Sequence, residues 1–232
     1  MERTINSLVG RRMEASDGEA GRVDDVYFDD ESWTVRYLVL KTGDWLSGRK
    51  VLIPPLALLE DGGMTGVFRV NLTKEQIRLS PGIDTDKPVS RQQEIELYGH
   101  YSWKGYWESG FYAQGVGEIK EVSNIPRNVK HLSPVDLHLR ATSFVSGFHV
   151  HGIDGELGHV CNFVIDDRSW KVLNLVVDTG RLPDGKKVLV PVDHILQMEW
   201  KDSDVYLSET KAEIEKSALF EPSAFSDPPS VV

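Results

Sequence analysis

Three histidines come closest to a pattern that could do chemistry. His149 and His151 are two apart on an expected strand and so share a face, and His159 lies across the Asp154-Gly155 turn. Such a set could hold zinc, with a water or carboxylate completing four-coordination. The positions 137 residues earlier hold Arg12, Glu14 and Arg22, so solvated strand residues are the favoured reading. The acidic pairs Asp29-Asp30 and Asp166-Asp167 could invite calcium. The D-x-[DN]-x-[DN]-G spacing of a calcium loop is absent, however, and ordinary Asp/Ser turn chemistry accounts for both pairs. Cys161 is the only cysteine, which excludes an internal disulfide and an all-cysteine metal site. It reads as a small packing residue rather than a reactive thiol. Gly115-Val116-Gly117 is too short for a dinucleotide fingerprint, and no Gly-x-Ser-x-Gly elbow, Walker loop or His-Glu-x-x-His occurs. The expectation is a protein with no catalytic residue, no metal and no cofactor, and so not an enzyme.

The elements that carry these residues are organised by a duplication. Residues 17–54 and 154–191 align at a constant offset of 137 without a gap, and 19 of the 38 positions are identical, where roughly two would be expected by chance. Asp17, Gly18, Gly21, Asp29, Asp30, Gly43 and Gly48 of the shared set are turn formers; Val23, Trp33, Val35, Leu38, Val39, Val51 and Leu52 are strand formers. Length and repeat together suggest two units of about 70–80 residues, each with its own modest core.

In chain order, a strand is expected from Ser7 to Glu14, then an Asp-Gly hairpin turn and a strand from Gly21 to Phe28. Val26 and Phe28 should face one way and Tyr27 the other. The strand Trp33 to Thr42 is apolar on both faces, with Val35, Tyr37 and Val39 opposite Leu38 and Leu40. In the second copy Val172 and Val176 are opposite Leu173, Leu175 and Val177. Such strands suit a small barrel with something packed outside it. Trp33 and Trp170, just after matched turns, read as indoles covering a barrel end. Lys50 to Pro54 is a strand, Pro55 to Leu59 a helical turn, and Val67 to Leu72 a last strand. Thr73-Lys74-Glu75-Gln76 has the form of a capping box, and in the second unit Ser208 is the expected cap, at an offset of 135.

Residues 81–139 form a spacer without a counterpart. Ser90-Arg91-Gln92-Gln93 can cap a helix reaching about Tyr98. Tyr98, Tyr101, Trp103, Tyr106, Trp107, Phe111 and Tyr112 then crowd together. Disordered linkers are poor in aromatics, so an ordered spacer docked on the barrels is expected; the alternative is a surface that binds a partner. The tail from 218 to 232 is Pro/Ser-rich and is expected to be extended or disordered.

The formal net charge is −10, of which −7 falls in residues 141–232. Without a basic stripe, direct binding of duplex nucleic acid and of anionic lipid is disfavoured. No apolar run approaches the ~18 residues of a membrane span. The first residues lack the apolar core of a signal peptide, so cytoplasm is the expected compartment.

Each unit spells Gly-x-x-Gly-x-Val (Gly18, Gly21, Val23 and Gly155, Gly158, Val160), then an acidic-Ser-Trp turn, a Leu/Val-rich strand and an apolar strand ending in proline. This resembles the PRC-barrel family, named for the cytoplasmic domain of the photosynthetic reaction-centre H subunit. The resemblance covers residues 5–80 and 140–217. The spacer Asp84-Thr85-Asp86-Lys87-Pro88-Val89-Ser90, with Tyr98 and Trp107, is similar to the connector of bacterial tandem PRC-barrel proteins. The resemblance implies a small β-barrel per unit and no single activity. In the H subunit the domain caps a membrane complex and tunes proton and electron transfer; in the ribosome maturation factor it binds a small-subunit ribosomal protein. The H subunit's transmembrane helix and the maturation factor's additional N-terminal domain have no match here, and no catalytic residue carries over.

The resulting expectation is an all-β protein of two PRC-type barrels related by internal duplication, at 1–80 and 140–217, with short closing helices. Its expected role is a non-enzymatic cytoplasmic interaction module for a protein partner, or a homo-oligomer. The seven spacer aromatics are the candidate partner surface. The alternative role is an auxiliary factor of membrane electron-transfer complexes like that of the H subunit.

Overall fold

The computed structural model describes residues 1–59, 66–81, 91–105, 139–180 and 186–225. In the first repeat, β1 (Glu2–Thr4) leads through a 3-10 turn to β2 (Arg12–Ala15), β3 (Gly18–Asp29), β4 (Thr34–Thr42), β5 (Lys50–Ile53) and β6 (Val67–Arg69). Helix α1 (Lys74–Leu79) closes it, and helix α2 (Arg91–Tyr101) belongs to the spacer. The second repeat runs β7 (Leu139–Ala141), α3 (Thr142–Val145), β8 (His149–Gly152), β9 (Gly155–Asp166), β10 (Lys171–Asp178) and β11 (Lys187–Pro191). It ends with β12 (Ile195–Glu199), β13 (Asp204–Leu207) and α4 (Lys211–Ile214). The long strands β3 and β9 begin and end 137 residues apart, as the repeat requires. In each unit the hairpin strands are antiparallel neighbours, while β6 lies parallel to β2 and β13 parallel to β8.

The two units share strands. β1 pairs with β9 of the other repeat, Glu2 opposite Asp166 and Thr4 opposite Val164. Its counterpart β7 pairs with β3, Leu139 opposite Asp29 and Ala141 opposite Tyr27. Every one of these pairs maps onto the other at the 137 offset, so the exchange is reciprocal about a pseudo-twofold. The axis passes where Thr34 meets Lys171. On either side, Val35 N–H donates to the Trp170 carbonyl and Val172 N–H to the Trp33 carbonyl, both at 2.8 Å. Trp33 and Trp170 hold left-handed φ of 50° and 57°. That conformation costs a non-glycine residue on the order of 1 kcal/mol, and here it precedes the cross-axis bond in both copies.

Among the described residues, exchange merges the sheets into one of 13 strands. It also merges the cores: Val26, Phe28, Leu38 and Leu40 belong to the same buried cluster as Phe163, Ile165, Leu175 and Val177. Phe28 meets Phe163 at 5.7 Å between ring centroids. One continuous inner core therefore stands where two modest ones were expected.

The outer faces are covered separately, as strands apolar on both sides require. Tyr27, Tyr37, Val39 and Leu52 pack against Leu97 and Tyr98 of α2. At the matching positions of the second unit, Val164, Val176 and Leu189 pack against Phe220 and Phe225. The tail is thus not uniformly extended. Leu189 N–H donates to Ala218 O at 2.9 Å, Phe220 N–H to Lys187 O at 2.8 Å, and Pro222–Phe225 forms a 3-10 turn that buries Phe225.

Three local expectations need correction. Val35 lies with Leu38 and Leu40, and Val172 with Leu175 and Val177, on the inner face. The register shifts at Arg36 and Leu173 insert an extra residue and reverse the alternation. The strand expected from Ser7 to Glu14 is β2 and begins only at Arg12, because Ile5–Ser7 is a 3-10 turn. The cap of α4 is Thr210, in a capping box with Glu213, not Ser208. Thr210 matches Thr73, whose box with Gln76 forms as expected, so the 137 offset holds to the closing helix and no residue is lost. Both helices are tied down alike: Asp17 accepts from Lys74 N–H and Asp154 from Lys211 N–H, each at 2.8 Å.

The second glycine of each Gly-x-x-Gly-x-Val is a close-approach position. A Cβ on Gly21 would overlap the Lys41 carbonyl, and one on Gly158 the Asp178 carbonyl, whereas a Cβ on Gly10 meets nothing within 4 Å. Gly21→Ala and Gly158→Ala should each cost about 3 kcal/mol or more, since backbone must move. Gly10→Ala should cost only about 1 kcal/mol, for its φ of +85°. Urea denaturation of the three variants checks the ranking; equal costs at all three positions would contradict it.

Candidate functional site

The aromatic spacer enters the structure as a docked helix. Tyr98 is 4% exposed and meets Tyr37 edge-on at 6.4 Å and Trp103 at 5.8 Å. Tyr37 hydroxyl donates to Glu94 Oε1 at 2.8 Å, and Glu94 is itself buried. Tyr101 and Trp103 are half-buried and stack on each other at 4.3 Å. Burial raises the Tyr101 phenol above its ordinary pKa. His100 Nε2 lies 3.2 Å from Gln76 O, which joins the helix to α1. Of the candidate partner surface, then, Tyr98 is core, and Tyr101 and Trp103 form its solvent-facing margin. Tyr106, Trp107, Phe111 and Tyr112 lie outside the described residues, as does the expected helix cap Ser90.

Three histidines of the second unit, His149, His151 and His194, each lie beside a carboxylate. His149 Nδ1 is 3.3 Å from Glu156, and His151 Nε2 is 2.9 Å from Asp204 and stacked on Tyr206. His194 Nδ1 pairs with Glu209. His149 is directly opposite His159 in the ladder. Among the described residues no group of three or more His, Cys, Asp or Glu has the arrangement to hold a metal ion. Cys161 occupies the bulge matched by Asp24, half-buried, and burial pushes its thiol above the ordinary pKa. A raised thiol is a poorer nucleophile at neutral pH.

The charged groups at the repeat junction form matched sets. Arg3 Nε donates to Asp167 at 2.6 Å, and Arg140 Nε to Asp30 at 3.0 Å. Asp25 accepts from Ser143 N–H at 3.2 Å, and Asn162 from Asn6 N–H at 3.2 Å. Thus each unit ties down the first turn of the other. Asp30 and Asp167 were read from the sequence only as turn residues, and Arg3, Arg140, Asp25 and Asn162 were not picked out. The signal that could have found them is the same offset, extended upstream: Arg3 and Arg140, like Asp30 and Asp167, are 137 apart.

Beside the Arg3–Asp167 pair opens a cleft of about 640 Å³. Its walls come from both repeats: Leu8, Pro55, Leu58 and Phe68 from the first, Arg168 and Trp170 from the second. Arg11 lies at its flank, its guanidinium carbon 5.7 Å from the Phe68 ring centroid. Burial, and then the neighbouring Arg3 charge, lower the Arg11 pKa. The Trp pair, expected to cover a barrel end, has other contacts in the structure. Trp33 stacks on Phe28 at 5.3 Å, and Trp170 walls this inter-repeat cleft.

A family model for the PRC-barrel domain matches residues 2–77 and 145–214. The chain belongs to the PRC-barrel family and carries two copies of the domain. No curated protein matches the chain. Among the described residues no helix is long and apolar enough to cross a membrane.

Two outcomes follow from this geometry. Truncating Tyr98 to Ala should destabilise by about 3 kcal/mol and Trp103 to Ala by about 1–2 kcal/mol, in the order of their burial. Neither should change the mass in solution, since both rings pack within the chain; thermal melts and light scattering measure the two effects. The second outcome is acid sensitivity. Burial opposes ionisation of Asp29, but hydrogen bonds from Ser32, with Arg36 nearby, outweigh it and lower the pKa. Burial likewise opposes ionisation of Asp167, and Arg3 reverses it. Carboxylates depressed in the fold contribute stability above their unfolded pKa of about 4, and that stability is lost as pH falls through the lower folded values. Stability should therefore decline below about pH 4, and Asp167→Asn should flatten that decline. An unchanged acid limb in the variant would show that the exchange pair does not contribute.

Proposed function

We propose that the chain is a non-enzymatic interaction module of the cytoplasm that binds a protein partner. The observation that carries this reading is the strand exchange, which makes the two PRC units one rigid body with a shared core. A rigid body with defined rims loses little conformational entropy on binding. The ionisable groups at the junction support the reading, since they form matched structural pairs rather than converging on one reacting centre. The net charge of −10 weighs against duplex nucleic acid as the partner. Tyr101 and Trp103 are the proposed docking margin, because they adjoin a rigid face and retain exposed ring surface.

The test is affinity capture on the immobilised chain from separated soluble and membrane fractions, followed by reconstitution with the purified candidate. A soluble protein that rebinds at micromolar concentration, and less well to Trp103→Ala, supports the module. Recovery of pigment- or cytochrome-bearing complexes would instead favour an auxiliary role in membrane electron transfer. Turnover of a small molecule by the purified chain would overturn the non-enzymatic reading.

A further inference from the structure

The two outer faces are covered at matched positions, and the covers differ in how firmly they sit. Helix α2 buries Leu97 and Tyr98 and ties the buried Glu94 to Tyr37. The segment from Ala218 to Phe225 sits more lightly on the second unit. Phe225 is buried, but Phe220 is only half-buried, and Ala218, Leu219 and residues 221–224 are exposed. Its attachment is that of an added strand. β11 pairs with β10 along one edge. Along the other, Val188 faces Leu219 in an antiparallel bridge, Leu189 N–H donates to Ala218 O, and Phe220 N–H donates to Lys187 O. The segment thereby satisfies sheet-edge groups that any extended chain can satisfy. Selection comes from the side chains. Phe220 and Phe225 stack at 5.4 Å and 14° across the turn Pro222–Phe225, and the pair belongs to one cluster with Val164, Val176, Leu189 and Cys161.

A main-chain ladder for affinity and pockets for spaced side chains are the two parts of a strand-addition site. We propose that this face is a docking groove for an extended segment of a partner protein with two aromatic residues spaced as Phe220 and Phe225 are, and that residues 218–225 occupy it in the free chain as a tethered stand-in. The partner segment adds to β11 in the same antiparallel sense and replaces both rings. The groove belongs to the second unit and stands whether or not Tyr101 and Trp103 dock anything. The tether sets the terms of exchange. Residues 218–225 follow α4 after only Glu215–Ser217, so they are present at an effective concentration on the order of millimolar. A free segment of equal quality therefore competes poorly, its apparent affinity reduced by the fraction of grooves that are open. A partner overcomes that reduction with a better-matched segment or with further contacts beside the groove. Exchange of the segment between two copies gains no contact that the single chain lacks, so a foreign segment is the favoured occupant.

Cys161, the only cysteine, shares the cluster under the segment, so its reaction with a maleimide reads whether the groove is covered. Uncovering it also removes burial that raises the thiol's pKa, and both effects speed the reaction. In the full chain Phe225→Ala should speed labelling at least about tenfold. A fluorescent peptide of residues Ser217–Phe225 should bind that variant at about 100 µM or tighter, shift the amides of Val176 and Leu189, and slow the labelling again. It should bind the wild-type chain at least about tenfold more weakly, because the tethered segment competes. Methylating the peptide's Phe220 nitrogen, which removes the donor to Lys187 O, should abolish binding, as should replacing both of its phenylalanines by alanine. Phe220→Pro in the full chain removes the same donor while keeping Phe225, and takes the place of Phe225→Ala if that variant does not fold. The proposal is overturned by unchanged labelling in both variants, by no peptide binding to them at about 1 mM, by equal affinity for variant and wild type, or by undiminished binding of the methylated peptide. A wild-type dimer that dissociates in Phe225→Ala would overturn it in favour of exchange between copies.

Discussion

A three-residue strand from each repeat completes the sheet of the other, and the rest of the structure depends on that exchange. Glu2–Thr4 and Leu139–Ala141 are too short to be stable alone. They are held because backbone pairing, an Arg–Asp pair and a capped turn act at the same place: Arg3 with Asp167, Arg140 with Asp30, and Asp25 and Asn162 on the turns that follow. Because the arrangement is reciprocal, neither unit can release its strand without uncovering the partner's core. Phe28 and Phe163, from different repeats, touch inside that core. Two domains linked only by the spacer would hinge by default, whereas a shared hydrophobic interior resists relative motion.

The same constraint explains why the outer faces have different covers. Pairing and twist oblige β3–β5 and β9–β11 to carry apolar residues outward as well as inward, as Val39 and Val176 do at matched positions. Duplication supplies the strands twice but the sequence between and after them only once each. The first unit is covered by the spacer helix through Leu97 and Tyr98, the second by the tail through Phe220 and Phe225. In physical terms helix α2 is a cover on one unit, which is why the described part of the spacer has Tyr98, Tyr101 and Trp103 where a linker would have polar residues.

How much of this was legible follows from what kind of signal each feature leaves. The strands and turns of both units, the Thr73 capping box and the two-faced β4 could be read, because turn chemistry and alternation are local. Val35 and Val172 were placed on the wrong face because one extra residue at Arg36 and Leu173 reverses a period of two, and a bulge has no compositional mark at those positions. The Thr210 cap was missed for a nearer serine, although holding to the constant offset would have found it. The exchange could not be read, since a three-residue strand such as Glu2–Thr4 has no periodicity and its partner lies more than 160 residues away. Trp170 was recognised as notable but not as the wall of a cleft, because the opposing residues Leu58 and Phe68 belong to the other repeat.

Where the two copies differ is as informative as where they agree. Identity concentrates at Gly21 and Gly158, at the Asp-Asp turns and at the Trp pair, which are the positions the fold and its axis require. The rims are free of that requirement, and there the copies diverge by whole chemical classes: Arg11 against Phe148, Gly63 against Trp200, Arg12 against His149. In a symmetric assembly any such change is made on both sides at once. Joining the halves in one chain frees each side to change alone, so that Trp200 packs on Arg140 in one half with no indole at the matching position of the other. A duplicated fold of this kind can thus let its two rims diverge without weakening the exchange that holds the halves together.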